Sequence, residues 1–130
     1  MRQDLDEKLV KTFPNLYRDR HESMAKTCLC WGFPGDGWFD LLWKASEKLE
    51  ALILAQPEED RHHYRASQVK EKFGTLRFYM KSETEEMSKV IREAEMESGV
   101  TCEVCGKPGK MVGKGWIYTA CEEHTRKEKG

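Results

Sequence analysis

The chain has no long apolar run. Its longest uninterrupted stretch, Ala51 to Ala55, falls far short of the roughly 20 residues that a membrane-spanning helix needs. It also has no excess of charge, with 22 Lys and Arg against 23 Asp and Glu and a formal net charge of -1. A protein that wraps nucleic acid ordinarily carries a clear basic surplus. G-x-S-x-G, P-loop and Rossmann glycine patterns are all missing, as are internal repeats and low-complexity linkers. The opening Met1-Arg2-Gln3-Asp4-Leu5-Asp6-Glu7-Lys8 is charged throughout and lacks the apolar centre of a signal peptide. What is present is a 130-residue chain, 38% hydrophobic and 10% aromatic, enough for one ordinary domain with a small appended module. Such aromatic content argues against wholesale disorder despite 35% charged residues. The five cysteines are odd in number, and three cluster near the C-terminus with a histidine, unlike a secreted disulfide scaffold. A cytoplasmic protein with reduced thiols is expected.

Hydrophobic periodicity organises the rest. Leu5, Leu9, Val10 and Phe13 predict an opening helix that ends before Pro14. Residues 15–26 are polar with alternating charge. Asp36 reads as the N-cap of a second helix, whose stripe runs through Trp38, Leu41, Leu42, Ala45, Leu49, Leu52 and Ile53, with Phe39 and Trp43 broadening it. Pro57 closes that helix, and Glu58-Glu59-Asp60 begins a solvated loop. Leu76, Phe78 and Met80 alternate with Arg77, Tyr79 and Lys81, the two-residue period of a half-buried strand. Val69, Lys70 and Glu71 supply the partner strand, joined through Lys72-Phe73-Gly74-Thr75 as a hairpin. Ser82 and Glu85 have capping-box spacing, Met87, Val90, Ile91 and Ala94 form a further helical stripe, and Gly99 is its stop. The fold class is therefore α+β, with helices packed on a small antiparallel hairpin over a body of residues 1–99. A zinc-binding module over 100–130 packs on that body as one unit.

The strongest chemical signal is TCEVCGKPGKMVGKGWIYTACEEH, residues 101–124. Cys102 and Cys105 form C-x2-C, Cys121 and His124 form C-x2-H, and 15 residues separate the pairs. Pairs three apart let one tight turn present two donors, and four soft or borderline donors suit tetrahedral zinc. Gly106-Lys107-Pro108-Gly109 reads as a glycine-rich knuckle. Lys110-Met111-Val112 and Trp116-Ile117-Tyr118-Thr119 read as strands joined by Gly113-Lys114-Gly115, and Cys121 as the start of a terminal helix. The segment resembles treble-clef zinc fingers. Four protein donors leave no position for water, so one structural zinc is expected and no catalysis at the metal. A ββα-metal nuclease would need a histidine between Cys105 and Cys121, and none occurs there. A zinc deaminase would need H-x-E and P-C-x2-C, but Glu22 follows His21 directly and Thr101 precedes Cys102.

Cys28 and Cys30 read as core thiols rather than second-metal ligands, and His62 and His63 as solvated loop residues. The hairpin carries Lys70, Lys72, Arg77 and Lys81 against the single acid Glu71. Arg77 and Tyr79 share a strand face suited to a phosphate or a base, with Arg18 and Arg20 as possible additions. The competing reading pairs this basic face with the helix over 83–97, which holds six acids. The aromatics Trp31, Phe33, Trp38, Phe39 and Trp43 belong to the core, with one or two left exposed as interaction points.

FPNLYRDRH (13–21), CWGFPGDGWFDLLW (30–43) and EKFGTLRFY (71–79), with the zinc segment, resemble a family of small proteins encoded by tailed phages and prophages. The resemblance covers nearly the whole chain, least distinctively over 44–66. It implies a viral accessory protein in a bacterial cytoplasm, not a mechanism, and draws attention to Arg18, Arg20, Asp36, Trp38, Asp40, Lys72, Arg77 and Tyr79. The expected function is that of a non-enzymatic, zinc-stabilised protein binding a host macromolecule, with a host defence or regulatory protein as partner. One alternative is a protein that sequesters a nucleotide-like anion through Arg18, Arg20, Lys72, Arg77 and Tyr79. The other is nucleic-acid binding through Lys107, Lys110, Lys114, Arg126, Lys127 and Lys129.

Overall fold

The computed structural model describes residues 1–126. It has the expected α+β architecture: helices α1 (Gln3–Thr12), α2 (Phe39–Leu54) and α3 (Glu85–Ser98), a hairpin of β1 (Ala66–Lys72) and β2 (Thr75–Met80), and a smaller hairpin of β3 (Lys110–Val112) and β4 (Tyr118–Ala120). No described helix is long and apolar enough to cross a membrane. The body's core forms where α2, α3 and the inner face of the first hairpin meet, around Trp38, Leu42, Leu49, Ile53, Leu76 and Met87.

Helix α2 buries more than one side because two polar residues lie among its apolar ones. Ser46 and Glu50, one turn apart, are both buried and serve the segment that follows α1. Glu50 accepts the backbone N–H groups of Asn15 (2.8 Å) and Leu16 (3.2 Å), while the Tyr17 hydroxyl and Ser46 Oγ share a hydrogen bond of 2.6 Å. A buried carboxylate that meets two backbone donors replaces the water it gives up. The polar-looking stretch after Pro14 thus holds two fully buried residues, Leu16 and Tyr17.

Both expected caps are displaced. A 3-10 turn over Asp36–Trp38 precedes α2, and the Asp36 carboxylate accepts the backbone N–H of Arg2 at 2.7 Å, tying down the start of the chain instead of capping. At α3 the cap is Thr84, whose hydroxyl accepts the Met87 N–H at 3.2 Å. Thr84 stands immediately before the first helical residue, whereas Ser82 lies two positions further out, beyond reach of the orphan donors of the first turn. The segment after Pro57 is a 3-10 helix, Glu58–His63, with His62 and His63 exposed as expected.

The first hairpin closes through a two-residue turn in which Phe73 (φ 53°) and Gly74 (φ 86°) are both left-handed, the geometry that follows strand twist. A register irregularity between Ala66 and Gln68 lets Ala66 and Val69, three positions apart, both face inward. Helix α3 covers the free edge of β2. Ser98 Oγ accepts the Leu76 N–H at 2.8 Å and Glu95 Oε2 accepts the Phe78 N–H at 3.1 Å, taking the place of a third strand.

Cys28 is exposed and Cys30 half-buried, which corrects the reading of this pair as core thiols. Thr27 takes the inward position, donating to the Ser67 carbonyl and accepting the Leu29 N–H. The 3-10 turn that follows buries Leu29 and leaves Trp31 outside.

Candidate metal centre

The second hairpin carries the chemistry. Thr101 bridges Pro108, and the knuckle between them is closed by Cys102 N–H to Lys107 O (2.8 Å) and Gly106 N–H to Cys102 O (2.9 Å). That turn sets Cys102 and Cys105 side by side. Strand β4 delivers Cys121, and a 3-10 turn over Glu122–His124, shorter than the helix expected there, brings His124 back over it.

The donor atoms of Cys102, Cys105, Cys121 and His124 all lie within 4.8 Å of one another. Cys105 Sγ is 3.6 Å from Cys121 Sγ. His124 presents Nδ1, 3.5 Å from Cys102 Sγ and 3.1 Å from Cys121 Sγ. A tetrahedral ion bonded at about 2.3 Å to sulfur and about 2.0 Å to nitrogen places its donors roughly 3.5–3.8 Å apart. The four side chains therefore fit one ion that can be held entirely by protein donors. Cys102 is fully buried, which alone would raise its thiol. The backbone N–H groups of Cys121, Cys105 and Val104 outweigh this and hold it down at about 6, so the thiolate that a metal requires is favoured.

The centre is seated on the body by a glycine cradle. Gly37 N–H donates to the Glu103 carbonyl at 2.7 Å, Gly35 N–H to Glu103 Oε2 at 3.1 Å, and the Trp38 indole to the Thr101 carbonyl at 2.8 Å. A Cβ at Gly37 would clash with the Cys102 carbonyl, and one at Gly35 with Glu103, so only glycine admits the knuckle this closely. Burial raises the Glu103 carboxyl above its ordinary value despite the Gly35 hydrogen bond. On the opposite side Thr119 Oγ1 donates to the Gly74 carbonyl at 2.5 Å, so the metal hairpin also braces the turn between β1 and β2.

The other candidate residues divide into two groups. Lys72, Arg77 and Tyr79 come together on the outer face of the first hairpin, where Lys70 stands opposite Arg77 and Gln68 opposite Tyr79. Arg20 is spent on the fold: its Nε and Nη2 grip Asp6 at 2.9–3.3 Å and its Nη1 donates to the Cys30 carbonyl at 2.9 Å. Arg18 is exposed. Lys127 and Lys129 lie outside the described residues. Sequence reasoning missed the role of Gly35 and Gly37, although two glycines flanking an aspartate before a tryptophan were the visible signal. It also passed over Phe73, which it treated only as part of a connection.

No family model, curated protein or solved structure matches this chain.

Proposed function

We propose that the chain is a non-enzymatic phage accessory protein, stapled by one structural zinc, that binds a host protein of defence or regulation in the bacterial cytoplasm. The observation that carries this reading is the saturated donor set. Three cysteines and one histidine surround a single point, and three soft thiolates with one imidazole are the donors that zinc takes in closed, structural sites. Zinc there would hold the knuckle and both strands of the second hairpin together, and Cys102, Cys105, Cys121 and His124 would be its ligands. The buried polar side chains of the body support a binding rather than a catalytic role, because they are engaged with one another or with backbone: Asp6 with Arg20, Tyr17 with Ser46, Glu50 with Asn15 and Leu16. Exposed aromatics at Trp31, Phe73 and Trp116 supply side chains of the kind that dominate protein interfaces.

Elemental analysis of protein purified without chelator should find one zinc per chain. The zinc-loaded chain, used as bait in infected host cells, should retain a host protein in stoichiometric amount, and the purified pair should re-form from its components. Absence of zinc, or a purified chain that turns over a substrate, overturns the reading. A nucleotide panel separates the sequestration alternative: a ligand-induced rise in melting temperature that Arg77→Ala abolishes would favour capture of a small anion over a host protein.

A further inference from the structure

The outer face of the first hairpin carries more cations than acids, with Lys70, Lys72 and Arg77 on the strands and Arg92 beside them on α3. Lys70 and Arg77 are direct cross-strand neighbours, an arrangement of like charges that weakens a hairpin. Two acids, Glu71 and Glu95, lie close by and keep their charge while accepting backbone N–H groups of the hairpin. Glu71 accepts the Gly74 N–H at 2.7 Å, Glu95 accepts the Phe78 N–H, and Glu97 pairs with Lys44 at 2.9 Å. Among the described residues no ion pair involves Lys70, Lys72, Arg77 or Arg92. The acidic helix makes no direct ion pair with the basic strand face, and Glu95, which lies beside Arg77 and Arg92, offsets part of their charge.

Phe73 stands at the end of this face and is unfavourably placed twice. Its φ of 53° is a backbone conformation that bulky residues rarely adopt, and its side chain is 62% exposed. Asparagine or glycine would suit the turn better, and neither would expose a ring. Two clefts meet at Phe73. One runs between Glu71 and Lys72 on one side and the exposed Trp116 and Ile117 at the tip of the metal hairpin on the other. The other is floored by the exposed Met96, Val100 and Met111 and bounded by Arg77, Arg92 and a single acid, Glu95.

Building on the host-protein reading above, we propose that Phe73 and the two clefts that meet at it form the docking surface for a partner-protein segment combining acidic residues with large apolar side chains. The apolar side chains enter on either side of the Phe73 ring, and the acids meet Lys70, Lys72, Arg77 and Arg92. Charge complementarity of this kind steers encounter and fixes register, while the apolar anchors supply most of the affinity. The floor of the second cleft is aliphatic and thioether, suited to packing side chains and not to stacking bases, and the chain as a whole carries a net charge of -1. A protein segment is thus favoured over single-stranded nucleic acid.

The test pans a display library of random peptides against the zinc-loaded full chain, with enriched sequences resynthesised for titration. Enriched peptides should carry Asp or Glu beside Leu, Phe or Trp. They should bind Phe73→Asn and the double variant Lys70→Glu/Arg77→Glu at least about tenfold more weakly than the parent, and lose affinity as salt is raised. Phe73→Asn suits the turn, so its melting temperature should equal or exceed the parent's, separating lost binding from lost fold. Peptides without acids, unchanged affinity for the variants, no enrichment at all, or oligothymidine binding that depends on Phe73 would each overturn the proposal. A host protein captured equally well by the parent and by Phe73→Asn would overturn this surface while leaving the host-protein reading in place.

Discussion

The indole N–H of Trp38 donates to the carbonyl of Thr101, one residue before the first thiol of the donor cluster, at 2.8 Å. Trp38 is fully buried in the body's core, so a single side chain joins that core to the backbone of the knuckle. With the Gly37–Glu103 hydrogen bond beside it, the order of the metal centre and the packing at the start of α2 depend on each other.

Removal of the metal should therefore be felt in the body. Cys102→Ser should reduce zinc from one per chain to near none and destabilise the protein by on the order of 4 kcal/mol or more, the range that loss of a metal site reaches. Tryptophan fluorescence and near-ultraviolet circular dichroism should change with metal content, because Trp38 reads the knuckle directly. Unchanged spectra after complete chelation would uncouple the two.

Gly37→Ala tests the cradle. The added methyl group has to displace the Cys102 carbonyl, which is rigid backbone, so a loss of about 1–3 kcal/mol is expected, as for overpacked cores. Chemical denaturation of the zinc-loaded variant measures it. Parent-like stability would mean that the knuckle moves away at no cost.

Phe73→Asn should act in the opposite direction. Asparagine tolerates the left-handed conformation, and an exposed phenylalanine gives up little packing, so a gain of about 1 kcal/mol is expected. A clear loss in denaturant unfolding would show that the ring supports the turn.

Arg20→Lys should be costly although the charge is kept. The guanidinium holds Asp6 with two nitrogens and the Cys30 carbonyl with a third, and an ammonium cannot reproduce that fork. With both partners mostly buried, a loss of about 2–3 kcal/mol is expected in thermal or chemical unfolding. An effect below about 0.5 kcal/mol would place this pair among ordinary surface contacts.

Tyr17 gives the stability a defined dependence on pH. Burial raises its phenol far above the ordinary value, and nearby Glu50 and Asp6 add to this against the Ser46 hydrogen bond. In the unfolded chain it ionises near its ordinary value of about 10, while in the fold it stays neutral. Its contribution is therefore complete below about pH 10 and is lost as pH rises through the raised folded value. Denaturation series across the alkaline range should show a steeper fall for the parent than for Tyr17→Phe. That variant should itself lose about 1 kcal/mol at neutral pH with the Ser46 hydrogen bond. Identical alkaline slopes would contradict this account.

Much of the framework is legible in the residues because it is local. The stripe of α2 from Leu41 to Ile53 and that of α3 from Met87 to Ala94 are periodic over several turns, and every cysteine and histidine of the cluster lies within 22 positions of the others. Helix caps were less legible because neighbours compete: Asp36 and Ser82 are good capping residues that the tertiary structure uses differently or passes over. Burial of Leu16 and Tyr17 was hidden by the charges around them, since the carboxylate that satisfies their segment lies 34 positions away from Leu16, on α2.

Sequence by itself determined the α+β class, the first hairpin and its tight turn, and the quartet Cys102, Cys105, Cys121 and His124, because each follows from short-range spacing and conformational preference. Tertiary structure alone decided that Gly35 and Gly37 cradle the knuckle, that Arg20 locks onto Asp6, and that Glu95 of α3 serves the backbone of β2. Those outcomes depend on which surfaces meet in space, and hydrogen bonds and charges between residues distant in the chain are chosen only when packing brings them within a few ångströms.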